Sequence, residues 1–202
     1  MIKAKLLLAT NNKGKLEELR ELLAGVLFNF VSPSDIELKL DVLESGKTYA
    51  ANARLKARAF AQASGLLTLA DDSGLEVDAL NGAPGVLSSR YAGLGASDKK
   101  RVAFLLSKLE DVPWEKRTAC FHCVMAIATP DGEIKMSSGT CKGIITLFPQ
   151  GENGFGYDPI FYIPEFKKTV AELPAEIKNR ISHRAKAAAR ARKILTELSG
   201  QK

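Results

Sequence analysis

No apolar run in the sequence approaches the ~20 residues that a membrane-spanning helix needs, so no such helix and no membrane partner are expected. The short apolar run in "MIKAKLLLATNNKGK" has no small-residue cleavage site after it. It reads as a first β-strand and not as a signal peptide. Cysteine is sparse, with Cys120, Cys123 and Cys141 alone. Cys120 and Cys123 have the C-x-x-C spacing of some redox and zinc sites. Yet "TACFHCVMAIAT" reads as a strand, on which residues three apart face opposite ways. An odd count without a second pair suits a reduced, cytoplasmic chain with buried thiols. Internal repeats and low-complexity segments are missing too, and nothing in the composition suggests disorder or a fibre. A Walker A loop, G-x-x-x-x-G-K-[ST], is absent.

What is present is a chain of 202 residues with 29 Lys and Arg against 23 Asp and Glu, a formal charge of +6. That length means one or two domains and a core that hides about 70% of the surface. The charge favours anionic partners without separating nucleic acid from nucleotide. "IKAKLLLA" and "LLTLA" read as strands, and "KGKLEELRELLA" as a helix capped by Asn12 and ended by Gly25. "TYAANARLKARAFAQAS" is an alanine-rich helix closed by Gly65. "ASDKKRVAFLLSKLED" starts at a Ser/Asp cap and repeats apolar residues at helical spacing. "RTACFHCVMAIAT" and "EIKMSSGTCKGIIT" form a hairpin across "PDG". "SHRAKAAARARKILTELS" is a last helix, capped by Ser182 and stopped by Gly200. Early alternation followed by a hairpin implies an α/β protein with a mixed sheet, a single domain over 1–202 in two lobes, with a ligand cleft between them.

Four stretches carry candidate chemistry. In "LLLATNNKGK" a strand meets a polar turn and a helix start, where backbone N–H groups hold anions. Lys13 and Lys15 stand there against the helix dipole, at a cost of roughly 0.3–1 kcal/mol each. A bound phosphate would offset that; solvated lysines beside Glu17 and Glu18 are the plainer alternative. In "ADDSGLEVDALNGAPG" two acids follow an apolar strand. At its expected end, Asp71 and Asp72 point to opposite faces and do different jobs. One suits a hard cation such as Mg²⁺, and Ser73 and Gly74 suit a tight turn near a ligand. A turn without chemistry explains them equally well. In "GENGFGYDPIF", glycines surround Phe155 and Tyr157, so a ring could stack on a base, worth ~1–3 kcal/mol. In "IKNRISHRAKAAARARK", His183, Arg184 and Lys186 set donors at a helix start, Arg being suited to oxygen acceptors. Arg190, Arg192 and Lys193 read as a solvated basic face. Together the four stretches fit a magnesium nucleoside triphosphate.

The sequence resembles the inosine triphosphate pyrophosphatase family, the dITP/XTP pyrophosphatases. The matching stretches are "ATNNKGKLEE", "ESGKTYAANARLKA", "ADDSGLEVDALNGAPGVLSSRYAG", "FGYDPIF" and "ISHRAKA", in the family's order and across nearly the whole chain. The resemblance implies an elongated two-lobed α/β fold with a long mixed sheet, a cytoplasmic homodimer, and Mg²⁺. It implies hydrolysis of ITP, dITP and XTP to the monophosphate and pyrophosphate, cleansing the nucleotide pool. Thr10, Asn11, Asn12, Lys13, Gly14 and Lys15 fall on the phosphate-binding loop, with Asn11 where many members have glycine. Glu44 falls on a metal-site acid, with Ser45 where the common pattern has Asp. Asp72 falls on the proton acceptor and metal ligand, Asp71 beside it could share the role, and Ser73 falls on a substrate contact. Phe155, Gly156, Tyr157, Asp158, Lys178, His183 and Arg184 fall on the base pocket. On this scheme His183 and Arg184 donate to the 6-oxo group of the base, which adenine lacks. Two rivals remain: a Maf-type pyrophosphatase acting on other nucleotides, and a nucleic-acid-binding module, which would need no carboxylates and would weaken steeply with salt.

Overall fold

The computed structural model describes residues 4–200. Strand β1 (Ala4–Leu8) runs into helix α1 (Lys13–Leu22), whose start is capped by the Asn12 side chain accepting from the Lys15 N–H. Strand β2 (Phe28–Val31) follows, then a long irregular stretch, then α2 (Tyr49–Ser64) between a Thr48 cap and Gly65. Strand β3 spans Leu67–Val77, helix α3 Asp98–Ser107, and strands β4 and β5 span Thr118–Ala128 and Ile134–Ile145. Short strands β6 (Phe161–Ile163) and β7 (Lys168–Thr169) lead to α4 (Ala175–Ile181) and α5 (His183–Leu198). Among the described residues the strands form one mixed sheet in the order β2-β1-β3-β4-β5-β6-β7. β1 pairs in parallel with β2 and β3, while β6 pairs antiparallel with β5 and β7. The α/β class and the helices read from the sequence are present. No described helix is long and apolar enough to cross a membrane.

The chain divides into two compact units, with boundaries inside β3, β4 and β5. The first holds the described residues up to Asp72, Cys123–Gly139, and those from Arg184 onward. Its strands alternate strictly. Leu6, Leu8, Leu69, Cys123, Met125 and Ile127 pack with Leu19 of α1 and Ala187, Ala191 and Leu195 of α5. Leu7, Ala70, Ala126 and Ala128 face the other way, onto Ala53, Ala57, Phe60 and Ala61 of α2. The small residues of α2 let it lie close to the sheet, which is what its alanine content is for.

The second unit holds Ser73–His122 and Thr140–His183. Leu75, Val77, Phe121, Cys141 and Ile145 pack there with Val102 and Leu105 of α3 and with Ile160, Phe161 and Leu173. Arg117 is buried in this unit and donates to three backbone carbonyls: Nε to Val112 at 2.8 Å, Nη1 to Thr146 at 3.0 Å and Nη2 to Leu109 at 2.5 Å.

One expectation is overturned. "DDSG" is neither a strand end nor a tight turn, because β3 continues through it to Val77. Aspartate and glycine are poor strand formers, but strand preference yields to tertiary context. Here Leu75 and Val77 extend the alternation into a second core, the buried Asn52 amide reaches Asp72, and Lys15 and Arg184 reach Oδ2 of Asp71. The cysteines are free, as the strand reading required, with Cys123 and Cys141 buried and Cys120 partly so.

Replacing Arg117 with Met should remove three hydrogen bonds and leave the Thr146 and Val112 carbonyls without that donor, while the Leu109 carbonyl keeps the Val112 N–H. A loss of about 2 kcal/mol or more follows from such unmet groups, measured as a lower urea midpoint with an unchanged slope.

Candidate active site

Strand alternation decides what each acid meets. Asp71 continues the Leu69 side of β3, where α1 and α5 lie. Its Oδ2 is 3.0 Å from Lys15 Nζ and 3.4 Å from Arg184 Nη2, with Cys123 Sγ at 4.0 Å. Arg184 also bonds Glu18 Oε2 at 2.6 Å. Burial alone would raise the Asp71 carboxyl, but Lys15, Arg184 and Lys56 outweigh it and hold it well below the usual carboxylate range. Burial, with the Asp71 charge adding to it, pushes the Cys123 thiol up to about 12, so it stays a neutral packing group.

Asp72 continues the Ala70 side, where α2 lies. Its Oδ2 accepts from Asn52 Nδ2 at 3.0 Å. Asn52 Oδ1 in turn accepts the Gly46 N–H at 2.8 Å, which fixes the loop carrying Glu44. A Cβ on Gly46 would come within 2.6 Å of that same oxygen, so only glycine fits. One turn along α2, Lys56 Nζ bonds Glu44 Oε1 at 2.8 Å and the Asp71 carbonyl at 2.5 Å. Burial raises the Asp72 carboxyl, the Glu44 charge adds to that, and Lys56 and Asn52 offset it only in part.

Adjacent acids thus sit in opposite electrostatic settings. Asp71 is a fixed anion that orders Lys15 and Arg184. Asp72 is a carboxylate whose charge is disfavoured, beside a second acid, where an added cation is welcome. No cluster of three or more His, Cys, Asp and Glu able to hold a metal exists among the described residues. A site with two carboxylates, completed by substrate oxygens and water, is nevertheless how Mg²⁺ is commonly held. Glu44 and Asp72 fit that donor chemistry.

In the phosphate-loop candidate, Asn12 N–H donates to Thr10 Oγ1 at 3.2 Å. Asn11, Asn12 and Lys13 are exposed, and Gly14 is half-buried. Of the two first-turn lysines, Lys15 is engaged by Asp71 and Lys13 reaches solvent.

The second unit gathers the other candidates. Asp158 Oδ2 accepts from Lys178 Nζ at 2.6 Å and from the Phe155 N–H at 3.0 Å. Lys178 Nζ also lies 4.9 Å from the centre of the Phe155 ring. A side chain on Gly154 would overlap the Asp158 carboxylate. Tyr157 is buried and its hydroxyl donates to the Ser88 carbonyl at 2.9 Å, so the half-buried Phe155 is the ring with a face to offer. His183 stacks on Phe121 with centroids 4.6 Å apart and planes 10° apart. Ser73 is half-buried on β3. Arg184 belongs to the first unit, with Glu18 and Asp71, whereas Lys178, His183 and Asp158 belong to the second.

Sequence reasoning missed Asn52, Lys56 and Glu18. Asn52 and Lys56 are four apart and so share a helix face. Asn52 stands within the alanine stripe of α2, beside Ala53. A polar side chain in an otherwise apolar stripe was the available signal.

The family model described as Ham1 family matches residues 6–194. This chain belongs to the Ham1 family. Among its curated relatives is a dITP/XTP pyrophosphatase of Desulforamulus reducens, 55% identical over 96% of each chain. A dITP/XTP pyrophosphatase of Geobacter sulfurreducens is 50% identical, covering 92% of this chain and 93% of that one. Among solved structures, a HAM1 protein from Coxiella burnetii superposes with a TM-score of 0.87 at 43% identity, covering 96% of this chain and 99% of that one. The Staphylococcus aureus Ham1 protein gives 0.84 at 42% identity, covering 96% and 100%.

For this Ham1 family member, the two acids should respond oppositely to neutralisation. Asp71→Asn leaves Lys15 and Arg184 without their shared anion and should cost about 3 kcal/mol. Asp72→Asn removes a disfavoured charge, and its stability should equal or exceed the parent's. Urea denaturation of both variants checks the contrast, and equal losses would contradict the electrostatic assignment.

Proposed function

We propose that the chain hydrolyses non-standard purine nucleoside triphosphates, ITP, dITP and XTP, to the monophosphate and pyrophosphate, and so keeps them out of DNA and RNA. The observation that carries this reading is the divided acid pair, with Asp72 raised beside Glu44 while Asp71 is locked by cations. The names of the curated relatives, at up to 55% identity, supply the substrate class. A general base must be able to take a proton near neutral pH, and environments that push two carboxylates apart assign the roles. Asp72 is the acceptor that orients and deprotonates the attacking water. Asp71 holds Lys15 and Arg184 in place and takes no proton.

Mg²⁺, held by Glu44 and Asp72, supplies charge neutralisation on the triphosphate oxygens when bound. Lys13 and Lys15, with the backbone of Thr10 to Lys15, bind the triphosphate and stabilise the departing pyrophosphate. Lys56 keeps Glu44 and the Asp71 carbonyl in register. In the second unit Phe155 offers its ring to the base, and Lys178 and His183 offer donors to a 6-oxo group. Adenine would set donor against donor there and leave buried groups unpaired, which rejects it. The same reading places the protein in the cytoplasm as a homodimer, and its substrate is a free nucleotide and not nucleic acid.

Pyrophosphate release across ITP, dITP, XTP, GTP, ATP, dTTP and UTP, with and without Mg²⁺, tests this. Rates should be highest for ITP, dITP and XTP and should vanish on chelation. Equal ATP and ITP rates would refute the base scheme, and preference for dTTP or UTP would favour a Maf-type enzyme. Asp72→Asn should lower kcat by about 10²–10⁴-fold, the usual worth of a positioned base.

A further inference from the structure

The segment bearing Phe155 and Asp158 has glycine at 154 and 156, with φ of +76° and +65°. Glycine restrains a chain weakly, so the position of this loop depends on what ties it down. Besides the Lys178–Asp158 ion pair, two further hydrogen bonds tie it to its surroundings. The Gly156 N–H donates to Asp98 Oδ2 at 2.7 Å, and the Tyr157 hydroxyl donates to the Ser88 carbonyl. Asp98 is the first residue of α3, and its other oxygen pairs with Arg101 one turn on. Arg101 Nη1 donates to the Ser89 carbonyl at 3.0 Å and to that of Ala96. The Ser88 hydroxyl accepts the Leu75 N–H at 2.9 Å and donates to the Gly85 carbonyl at 2.6 Å. The aromatic loop is therefore hung from a braced frame made of the end of β3 at Leu75, the turn at 85–90 and the start of α3, all within the second unit.

We infer that Asp98 is a positioning residue for base selection, acting through its hydrogen bond to the Gly156 amide to fix where the Phe155 ring and the Asp158 carboxylate stand. The inference rests on the reading of Phe155 and Asp158 as base-recognising. An N–H to carboxylate bond of this length is of the strong, charge-assisted kind, and small displacements of positioned groups are costly to selectivity. Asp98 bonds the Gly156 amide and Arg101 and belongs to neither the acid pair nor the phosphate-loop candidate, so its loss weakens recognition of the base and leaves the phosphoryl chemistry untouched.

The test compares Asp98→Ala and Asp98→Asn with the parent protein. Pyrophosphate release from dITP, XTP and dATP, inhibition by inorganic pyrophosphate, and amide hydrogen exchange at Gly156 are measured. Asp98→Ala should raise KM for dITP and XTP about ten-fold, the worth of roughly one charge-assisted hydrogen bond. Discrimination against dATP should fall, with kcat and pyrophosphate inhibition unchanged and Gly156 exchange faster. Asp98→Asn keeps an oxygen acceptor and should restore most of the loss. Should Asp98→Ala not fold, Arg101→Met, which removes the brace on Asp98, should show the same KM-selective defect. Unchanged KM, unchanged Gly156 protection, or a parallel loss of pyrophosphate binding would overturn the inference. A parent protein inactive on both dITP and XTP would instead overturn the proposed function, while the exchange measurement would still decide whether Asp98 holds the loop.

Discussion

Burying an ionised carboxylate costs several kcal/mol unless cations reach it. Asp71 is 1% exposed, so much of the first unit is committed to reaching it. Lys15 arrives from the first turn of α1 and Arg184 from the first turn of α5. Both helix starts are consequently pinned to one point on β3, although basic residues there oppose the helix dipole. The sequence raises that dipole conflict as a sign of a phosphate. The structure answers part of it internally, because the Asp71 carboxylate is itself the anion that Lys15 and Arg184 attend. Lys13, exposed and not drawn into this network, remains the first-turn cation with a charge to spare for a ligand.

The same strand alternation that gives Asp71 its cations gives Asp72 a different neighbourhood. Asn52 and Lys56 work as a pair on α2: one orients the Asp72 carboxylate and the Glu44 loop, the other neutralises Glu44. Gly46 is required because the Asn52 amide passes where a side chain would stand. In the second unit Asp158 has an equivalent part, ordering Lys178 and the Phe155 amide. Gly154 makes room for its carboxylate just as Gly46 makes room for Asn52. In both units a polar side chain organises a loop from beneath, and glycine is the consequence of that close approach.

Most of the architecture was legible in local signals. Caps at Asn12 and Ser97, the closing Gly65, and the hairpin after Ala128 all carry short-range chemistry, and each stands where that chemistry puts it. The end of β3 did not read correctly, because "DDSG" has the composition of a turn. Its pairing with β4 and the packing of Leu75 and Val77 against residues far along the chain keep it extended. The opposite facing of Asp71 and Asp72 was legible from the period of a strand, even though the strand's end was misplaced. Their roles were not, since they depend on α2, α1 and α5, which no spacing within β3 encodes. Arg184 shows the same limit. Its neighbours in sequence group it with His183, while its guanidinium bonds Glu18 and Asp71.

The proposed division of labour between the acids carries a consequence for stability. Asp71 is charged at a stabilising site, and its ion pairs reward the folded state. Asp72 is charged at a site where burial and Glu44 both oppose the charge. A sequence selected for stability alone would carry an amide there, making the same contact with Asn52 without the repulsion. Retaining a carboxylate at such a position is the pattern expected where function draws on stability. The penalty is relieved only when positive charge or a proton reaches Asp72, and both arrive in the course of the proposed hydrolysis. The adjacent residues are therefore one device read in two directions: Asp71 supplies a rigid, permanently ionised floor, and Asp72, one residue on and facing away, is left reactive because that floor already holds Lys15 and Arg184 in place.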